Sequence, residues 1–325
     1  MNLDARILRT LRASVDGISD RELAEKLDIG RATVRSRIES LRGMGYEIEA
    51  SPHQGYRVLS APDSLNADEL VSRLGKDVVI GREIQVFQET TSTNDVVEKL
   101  ARDGVKEGIV VFAESQSRGR GRLGRKWISS AGKGLWFSVL LRPPWPPRSV
   151  SRMTIAAAVA LVRGIQGQTG LRPVIKWPND ILIGTRKVSG ILTELSAEPD
   201  RVKHVVVGIG VDVHLDASSF PAELRNAVTS LNAELGRDVD RSALAASILL
   251  ELDRTYAQVR HGRFETVAEE WERLCETIGA DVGIRFGDRL LQGRAESLDA
   301  DGALLLRTSH GHLERVVGGD VTVER

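Results

Sequence analysis

The chain has 325 residues, 45 of them basic and 45 acidic, so it can hold two or three domains and has no overall field to draw it to nucleic acid or membrane. A single cysteine, Cys275, excludes an intrachain disulfide framework and fits a reducing cytosol; the helical apolar spacing around it points to core packing rather than a nucleophilic thiol. No signal peptide opens the chain, and the longest apolar run, Ile155 to Val162, is too short to span a bilayer, so the expectation is a soluble cytoplasmic protein with no membrane partner.

In the first sixty residues, Ile7, Leu8, Leu11 and Val15 share one face of a predicted helix. Ser19 and Glu22 form a capping box that opens a second helix through Leu27. After the tight Asp28-Ile29-Gly30 connection, a third helix runs from Arg31 to Arg42, with Val34, Ile38 and Leu41 inward. Two alternating runs, Tyr46 to Glu49 and Tyr56 to Leu59, joined by Ser51-Pro52-His53-Gln54-Gly55, predict a hairpin. Three helices and a wing make a winged helix-turn-helix over residues 1–60, whose third helix would enter a major groove. Arg31, Thr33, Arg35 and Arg37 are its candidate DNA contacts. Ten basic against nine acidic residues in this stretch predict weak binding by one copy, so operator DNA calls for a dimer. A small helical protein-contact module is the bland alternative.

Ala61-Pro62-Asp63-Ser64 reads as a linker, and a central domain is expected over 66–275. A strand, Ile84 to Gln88, leads into Glu89-Thr90-Thr91-Ser92-Thr93-Asn94-Asp95, a polar turn before a helix to Arg102. A cap needs one of those side chains, so the surplus suggests a polar ligand. The buried strand Ile109 to Ala113 is followed by Gln116-Ser117-Arg118-Gly119-Arg120-Gly121-Arg122-Leu123-Gly124-Arg125-Lys126-Trp127, with five cations, three glycines and no acid. Glycine lets backbone N–H groups press against an anion, and arginine forks match phosphate or carboxylate oxygens. Five like charges without a counter-ion predict a loop that is mobile until an anion arrives; composition alone favours the alternative of a solvated basic loop or an RGG-like RNA-binding tract, against which stand the short, non-repeating length and the buried strand before it. Further on, Lys176-Trp177-Pro178-Asn179-Asp180 and Lys187-Val188-Ser189-Gly190-Ile191-Leu192 put two lysines where apolar residues would pack, and a phosphate is one partner that a buried lysine accepts. Val205 to Val213 reads as a strand whose glycines permit close approach, and helices follow over Arg241–Gln258 and Phe264–Cys275.

Gly119-Arg120-Gly121-Arg122, Lys176-Trp177-Pro178-Asn179-Asp180 and Lys187 to Leu192 stand in the order, and at about the spacing, found in biotin protein ligases. With the N-terminal module the chain resembles the bifunctional members of that family, which also repress the biotin operon. Residues 276–325, short strands with Gly287-Asp288 and Asp301-Gly302 turns, are similar to the family's small SH3-like C-terminal domain. The fold class implied is α+β, comprising a winged helix-turn-helix, a mixed-sheet α/β ligase domain and that β domain.

The resemblance implies ATP and biotin as substrates, with Mg2+ accompanying the nucleotide, and a biotin carboxyl carrier domain as acceptor. Biotin contacts fall on Ser92, Thr93, Asn94, Gln116, Gly119, Arg120, Gly121, Arg122 and Lys187. ATP and phosphate contacts fall on Arg120, Arg122, Arg125, Lys176 and Asn179, with Lys187 and Arg122 as catalytic residues. No metal-ligand set is readable, and Asp180 is at most an indirect contributor. A homodimer is implied when biotinyl-5′-adenylate is bound. Two positions depart from the family pattern. Leu123 stands where well-known bacterial members have arginine, and Asp212 where asparagine is common. A lipoate-type ligase and an inactive ligand-sensing transcription factor are the rival readings.

Overall fold

The computed structural model describes residues 2–51 and 54–323, and it divides into two units, Met1–Asp77 and Val78–Arg325. In the first, α1 (Leu3–Ala13), α2 (Asp20–Leu27) and α3 (Arg31–Gly43) precede a hairpin of β1 (Glu47–Ser51) and β2 (Gly55–Ser60). The predicted Ser19–Glu22 capping box is present, and Leu8, Leu11, Leu23, Val34, Ile38 and Leu41 form the core. Pro52 and His53 of the wing turn lie outside the described residues. Val15 departs from expectation: α1 stops at Ala13, and Val15 is 78% exposed in the following turn.

A fourth helix, α4 (Ala67–Arg73), belongs to this unit, although the central domain was expected to begin at 66. The cause is polar. The Arg9 guanidinium donates to the carbonyls of Val71 at 2.9 Å and Leu74 at 2.7 Å, satisfying the helix's last turn. Arg12 pairs with Glu69, a buried carboxylate that also takes Arg73.

The second unit is built on a seven-stranded sheet. Its strands are β3 (Glu83–Thr90), β4 (Ile109–Gln116), β5 (Gly134–Leu141), β6 (Val174–Lys176), β7 (Asp180–Ile183), β8 (Arg186–Ala197) and β9 (Val202–Asp212). Their order is β3-β4-β5-β9-β8-β7-β6; β3 and β4 are parallel, joined through α5 (Thr93–Arg102), and the other neighbours are antiparallel. Every residue of β5 is buried, as a strand covered on both faces requires. α5 packs on the face of Val206, with Val97 and Ala101 against it. On the opposite face, α6 (Ser151–Thr169) meets β8 through Thr154 and Thr193, whose hydroxyls are 2.8 Å apart. α6 in turn packs on α8 (Arg241–Arg260), where a side chain at Gly164 would lie 2.8 Å from Ile248 Cγ1.

After α7 (Leu231–Leu235) and α8, helix α9 (Phe264–Leu274) leads into a five-stranded antiparallel sheet. It holds β10 (Asp281–Phe286), β11 (Arg289–Leu298), β12 (Leu304–Thr308), β13 (Leu313–Val316) and β14 (Asp320–Val323), ordered β13-β12-β11-β10-β14. The α+β class holds. Cys275 is buried, and burial pushes its thiol up, away from nucleophilic use. No helix among the described residues is long and apolar enough to cross a membrane.

Candidate functional site

The three motifs converge on one cleft of about 560 Å³. Ser92, Thr93, Asn94 and Gln116 line it, as do Arg120 to Arg122, Arg125, Lys176, Asn179, Asp180 and Lys187. The C-terminal sheet adds Gly319, Asp320 and Val321 to its wall, a contribution that sequence reading did not anticipate.

The floor is backbone. Gly190 and Gly210 are register partners on β8 and β9, and the Trp127 indole lies on both: a Cβ at Gly210 would come within 2.6 Å of the ring and one at Gly190 within 3.0 Å. One step along the same strand face, a Cβ at Gly208 would stand 2.1 Å from Asn94 Oδ1. The strand glycines therefore make room for the Trp127 indole and the Asn94 amide.

The polar turn is not a cap. Ser92 occupies the N-cap of α5 but makes no side-chain capping bond. Its neighbours form a network instead. Thr93 N–H donates to Gln116 Oε1 at 2.8 Å, Gln116 Nε2 donates to Ser129 Oγ at 2.8 Å, and the Thr93 and Ser138 hydroxyls are 2.6 Å apart. Ser138 Oγ donates to Asn94 Oδ1 at 2.5 Å, and Asn94 Nδ2 donates to Glu194 Oε2 at 2.7 Å. Ser92, Thr93 and Asn94 are all buried.

The glycine-arginine loop is a small hairpin. Trp127 N–H donates to the Gly119 carbonyl at 2.9 Å and Gly121 N–H to the Arg125 carbonyl at 2.7 Å. Leu123 (φ 56°) and Gly124 (φ 73°) form its left-handed tip. A Cβ at Gly119 would lie 2.5 Å from the Trp127 carbonyl oxygen, so glycine is needed there. The expected five uncompensated cations are not found. Arg120 donates from Nη1 to Asp95 at 2.7 Å and from Nη2 to Glu194 at 3.1 Å. Arg125 is ion-paired with Asp320, and Arg122 Nη1 donates to Asn179 Oδ1 at 3.1 Å. Acids thus meet two of the five loop cations, Arg120 and Arg125, and Arg122 has a neutral amide partner, which weakens the charge argument for a loop mobile without ligand. Burial lowers the Arg122 guanidinium somewhat from its ordinary range, against the charges of Asp320 and Asp180.

Lys187 Nζ lies 2.6 Å from Asp180 Oδ1, a charge pair without an aligned hydrogen bond, and 5.0 Å from the Trp127 ring centroid. Asp212, next along the face of Gly208 and Gly210, is buried; burial holds its carboxyl well above the ordinary carboxylate range, with Lys187 opposing. Asn179 Nδ2 donates to the Ile191 carbonyl at 2.8 Å, which ties the second motif to the third. Lys176 lines the cleft beside them.

In the first unit, Thr33 and Arg35 are exposed on α3. Arg31 and Arg35 share Asp20, at 3.0 Å and 2.6 Å, and the pairing with Arg31, then Arg35, lowers the Asp20 carboxyl. Arg37 is placed differently from the other candidates. Its Nε donates to Asp4 Oδ1 of α1 at 2.7 Å, so it braces α3 against a buried carboxylate.

Residues 86–212 match the biotin/lipoate A/B protein ligase family, residues 5–57 a helix-turn-helix domain, and residues 277–323 the biotin protein ligase C-terminal domain. The chain is similar to the bifunctional ligase/repressor BirA of Bacillus subtilis, 37% identical over 311 residues that make up 95% of each chain. It is also similar to BirA of Escherichia coli, 28% identical over 317 residues, 97% of this chain and 96% of that one. Among solved structures, a biotin protein ligase from Aquifex aeolicus in complex with biotin and ATP shares 27% identity at a TM-score of 0.64, covering 75% of this chain and 99% of the other.

Proposed function

The chain belongs to the biotin protein ligase family, among its bifunctional ligase and repressor members, and from that premise we propose how its own residues divide the work. It is a biotin protein ligase and a transcriptional repressor. Biotin's carboxylate attacks the α-phosphorus of ATP, giving biotinyl-5′-adenylate and pyrophosphate. The ε-amine of a lysine on a carboxylase carrier domain then attacks the mixed anhydride and releases AMP. The observation that carries this reading is the convergence of three separate motifs on one cleft, with Lys187 poised between Asp180 and the Trp127 ring.

Bringing a carboxylate against a polyphosphate demands fixed cations at the reacting centre. Lys187 and Arg122 supply them: one stands beside the bare strand floor, the other is half-buried on the loop. Ser92, Thr93, Asn94 and Gln116 hold biotin's polar ring, with Gly119 and Gly121 shaping the loop over it. Arg120, Arg125, Lys176 and Asn179 complete the phosphate side. Arg125 must exchange Asp320 for phosphate oxygens to do so. Three acids line the cleft: Asp180 faces Lys187, Asp320 faces Arg125, and burial pushes the Asp212 carboxyl well above the ordinary carboxylate range, against ionisation. No cluster of metal-ligating side chains occurs among the described residues. This donor set does not fit a protein-held Mg2+.

Repression follows from a homodimer that forms on the adenylate and doubles the phosphate contacts of one weakly charged module. The catalytic test is incubation with ATP, labelled biotin and a carrier domain, with lipoate in a parallel arm. Label on the carrier lysine is expected with biotin. Transfer of lipoate alone would assign a lipoate-type ligase, and transfer of neither would overturn the reading. Sedimentation with and without biotin plus ATP tests the dimer; an unchanged mass would reject it.

A further inference from the structure

Glu194 does not line the cleft, yet it touches two groups that do. It stands on the cleft-side face of β8, in line with Gly190 and Leu192. One carboxylate oxygen accepts from Asn94 Nδ2 at 2.7 Å, and the carboxylate also takes Arg120 through Nε at 3.3 Å and Nη2 at 3.1 and 3.2 Å.

The chemistry of the acceptor decides what this contact does. An ionised carboxylate only accepts, so the end of the Asn94 amide that faces it must be the nitrogen. The oxygen end is thereby turned to the Ser138 hydroxyl, 2.5 Å away. Asn94 has no room to turn otherwise, because it is buried against Gly208. On its other side Glu194 meets a guanidinium whose remaining donor is on Asp95 at 2.7 Å, one residue after Asn94. Burial lowers the Arg120 guanidinium, but Asp95 and Glu194 outweigh it and hold it above its ordinary range. The polar turn and the glycine-arginine loop are thus tied through one side chain on a third element.

We propose that Glu194 is a positioning residue of the ligase: its carboxylate sets the Asn94 amide at the ring end of the cleft and anchors Arg120 of the loop, so that ring recognition and loop order are coupled through one group. The proposal rests on the biotin ligase reading of the cleft. It separates the two basic groups that bear on the ligand's anion. Both line the cleft, but Arg120 is held at its place on the phosphate side by the Glu194–Asp95 bracket, whereas Arg122 is held by the neutral Asn179 amide.

The test uses the full chain and two substitutions that cut the contacts unequally. Glu194→Gln keeps a carbonyl acceptor for Asn94 Nδ2 and loses the charge that holds Arg120; Glu194→Ala loses both. Biotin KM and kcat for adenylate formation are read by pyrophosphate exchange, and loop order by the rate of tryptic cleavage within 118–126. Losing a hydrogen bond to a charged group should raise the biotin KM of Glu194→Ala ~10- to 100-fold, with kcat at saturating biotin within about threefold. Glu194→Gln should recover most of that KM, yet its loop should be cleaved several times faster than the parent's. An unchanged KM in Glu194→Ala, or parental loop cleavage in Glu194→Gln, overturns the proposal. Should Glu194→Ala fail to fold, the Glu194→Gln pair of readouts still decides it. Failure of the parent chain to form any biotinyl adenylate would instead strike the ligase reading itself.

Discussion

Two basic surfaces, the glycine-arginine loop and helix α3, invite the same reading from sequence and behave differently in the fold. In both, acids from other elements already occupy arginines: Asp20 of the preceding helix for Arg31 and Arg35, and Asp95, Glu194 and Asp320 for Arg120 and Arg125. The environments differ. The Arg31 and Arg35 side chains are 57% and 61% exposed and Arg125 at the loop tip is 65% exposed, whereas Arg120 is 34% exposed. The Arg31 and Arg35 guanidiniums are open to water even though the Asp20 carboxylate between them is 15% exposed, so DNA phosphates can compete with Asp20 for them. In the cleft, the acids also fix the geometry of recognition groups.

The largest effect should come from inside the cleft. Lys187→Ala should slow adenylate formation ~10²–10³-fold while biotin binding changes far less, since the charge matters most as the phosphoryl oxygens gain charge. Near-parental adenylation would show that the Lys187 charge is as exchangeable as those on the helix surface. On α3, Arg35→Ala should make the log–log salt slope of DNA binding shallower by about 1 and leave carrier biotinylation intact. Arg37→Ala should keep the slope and lower the denaturant midpoint, because Asp4 is left buried and unpaired. Equal losses of DNA affinity in the two variants would erase the division between reading face and brace.

A smaller effect tests the acid. Asp20→Asn removes one negative charge beside two guanidiniums and should steepen the salt slope by up to ~0.9. An unchanged slope would mean that Asp20 does not compete with phosphate. The smallest concerns Asp212. Its folded pKa lies above the unfolded value of about 3.9, so the chain binds more protons folded than unfolded in that interval. Its contribution is therefore present below pH ~4 and lost as pH rises through the folded value. The Tm of Asp212→Asn relative to the parent should climb above pH ~4 and then level off. A flat difference would sink the idea that burial strains this carboxyl.

The motifs were legible because glycine spacing, clustered arginines and lysines in apolar strands each break a local pattern. Helix periodicity likewise found α1, α2 and α3. Their partners were not legible. Glu194 is 74 residues from Arg120 and Asp320 is 195 from Arg125, and nothing local marks either acid. Charge counting along the loop therefore overstated its repulsion. The allegiance of α4 was hidden for the same reason: Arg9 and Arg12 look like ordinary outward arginines until Glu69 and the last carbonyls of α4 arrive beside them. Val15 misled because its spacing fits a helix that the backbone has already left.

The bare strand floor bears on how this chain can vary. Gly190, Gly208 and Gly210 would each place a methyl against Trp127 or Asn94, so a saturation scan should find an island of intolerance on two central strands. Alanine, the mildest replacement elsewhere, should already fail at Gly208 and Gly210 and be felt less at Gly190, where the contacts are 3.0 Å or longer. Such positions would register as damaging to ligand recognition through the side chains they seat. Any attempt to widen the range of acids this cleft accepts therefore has more freedom along the loop and the polar turn than on the sheet beneath them.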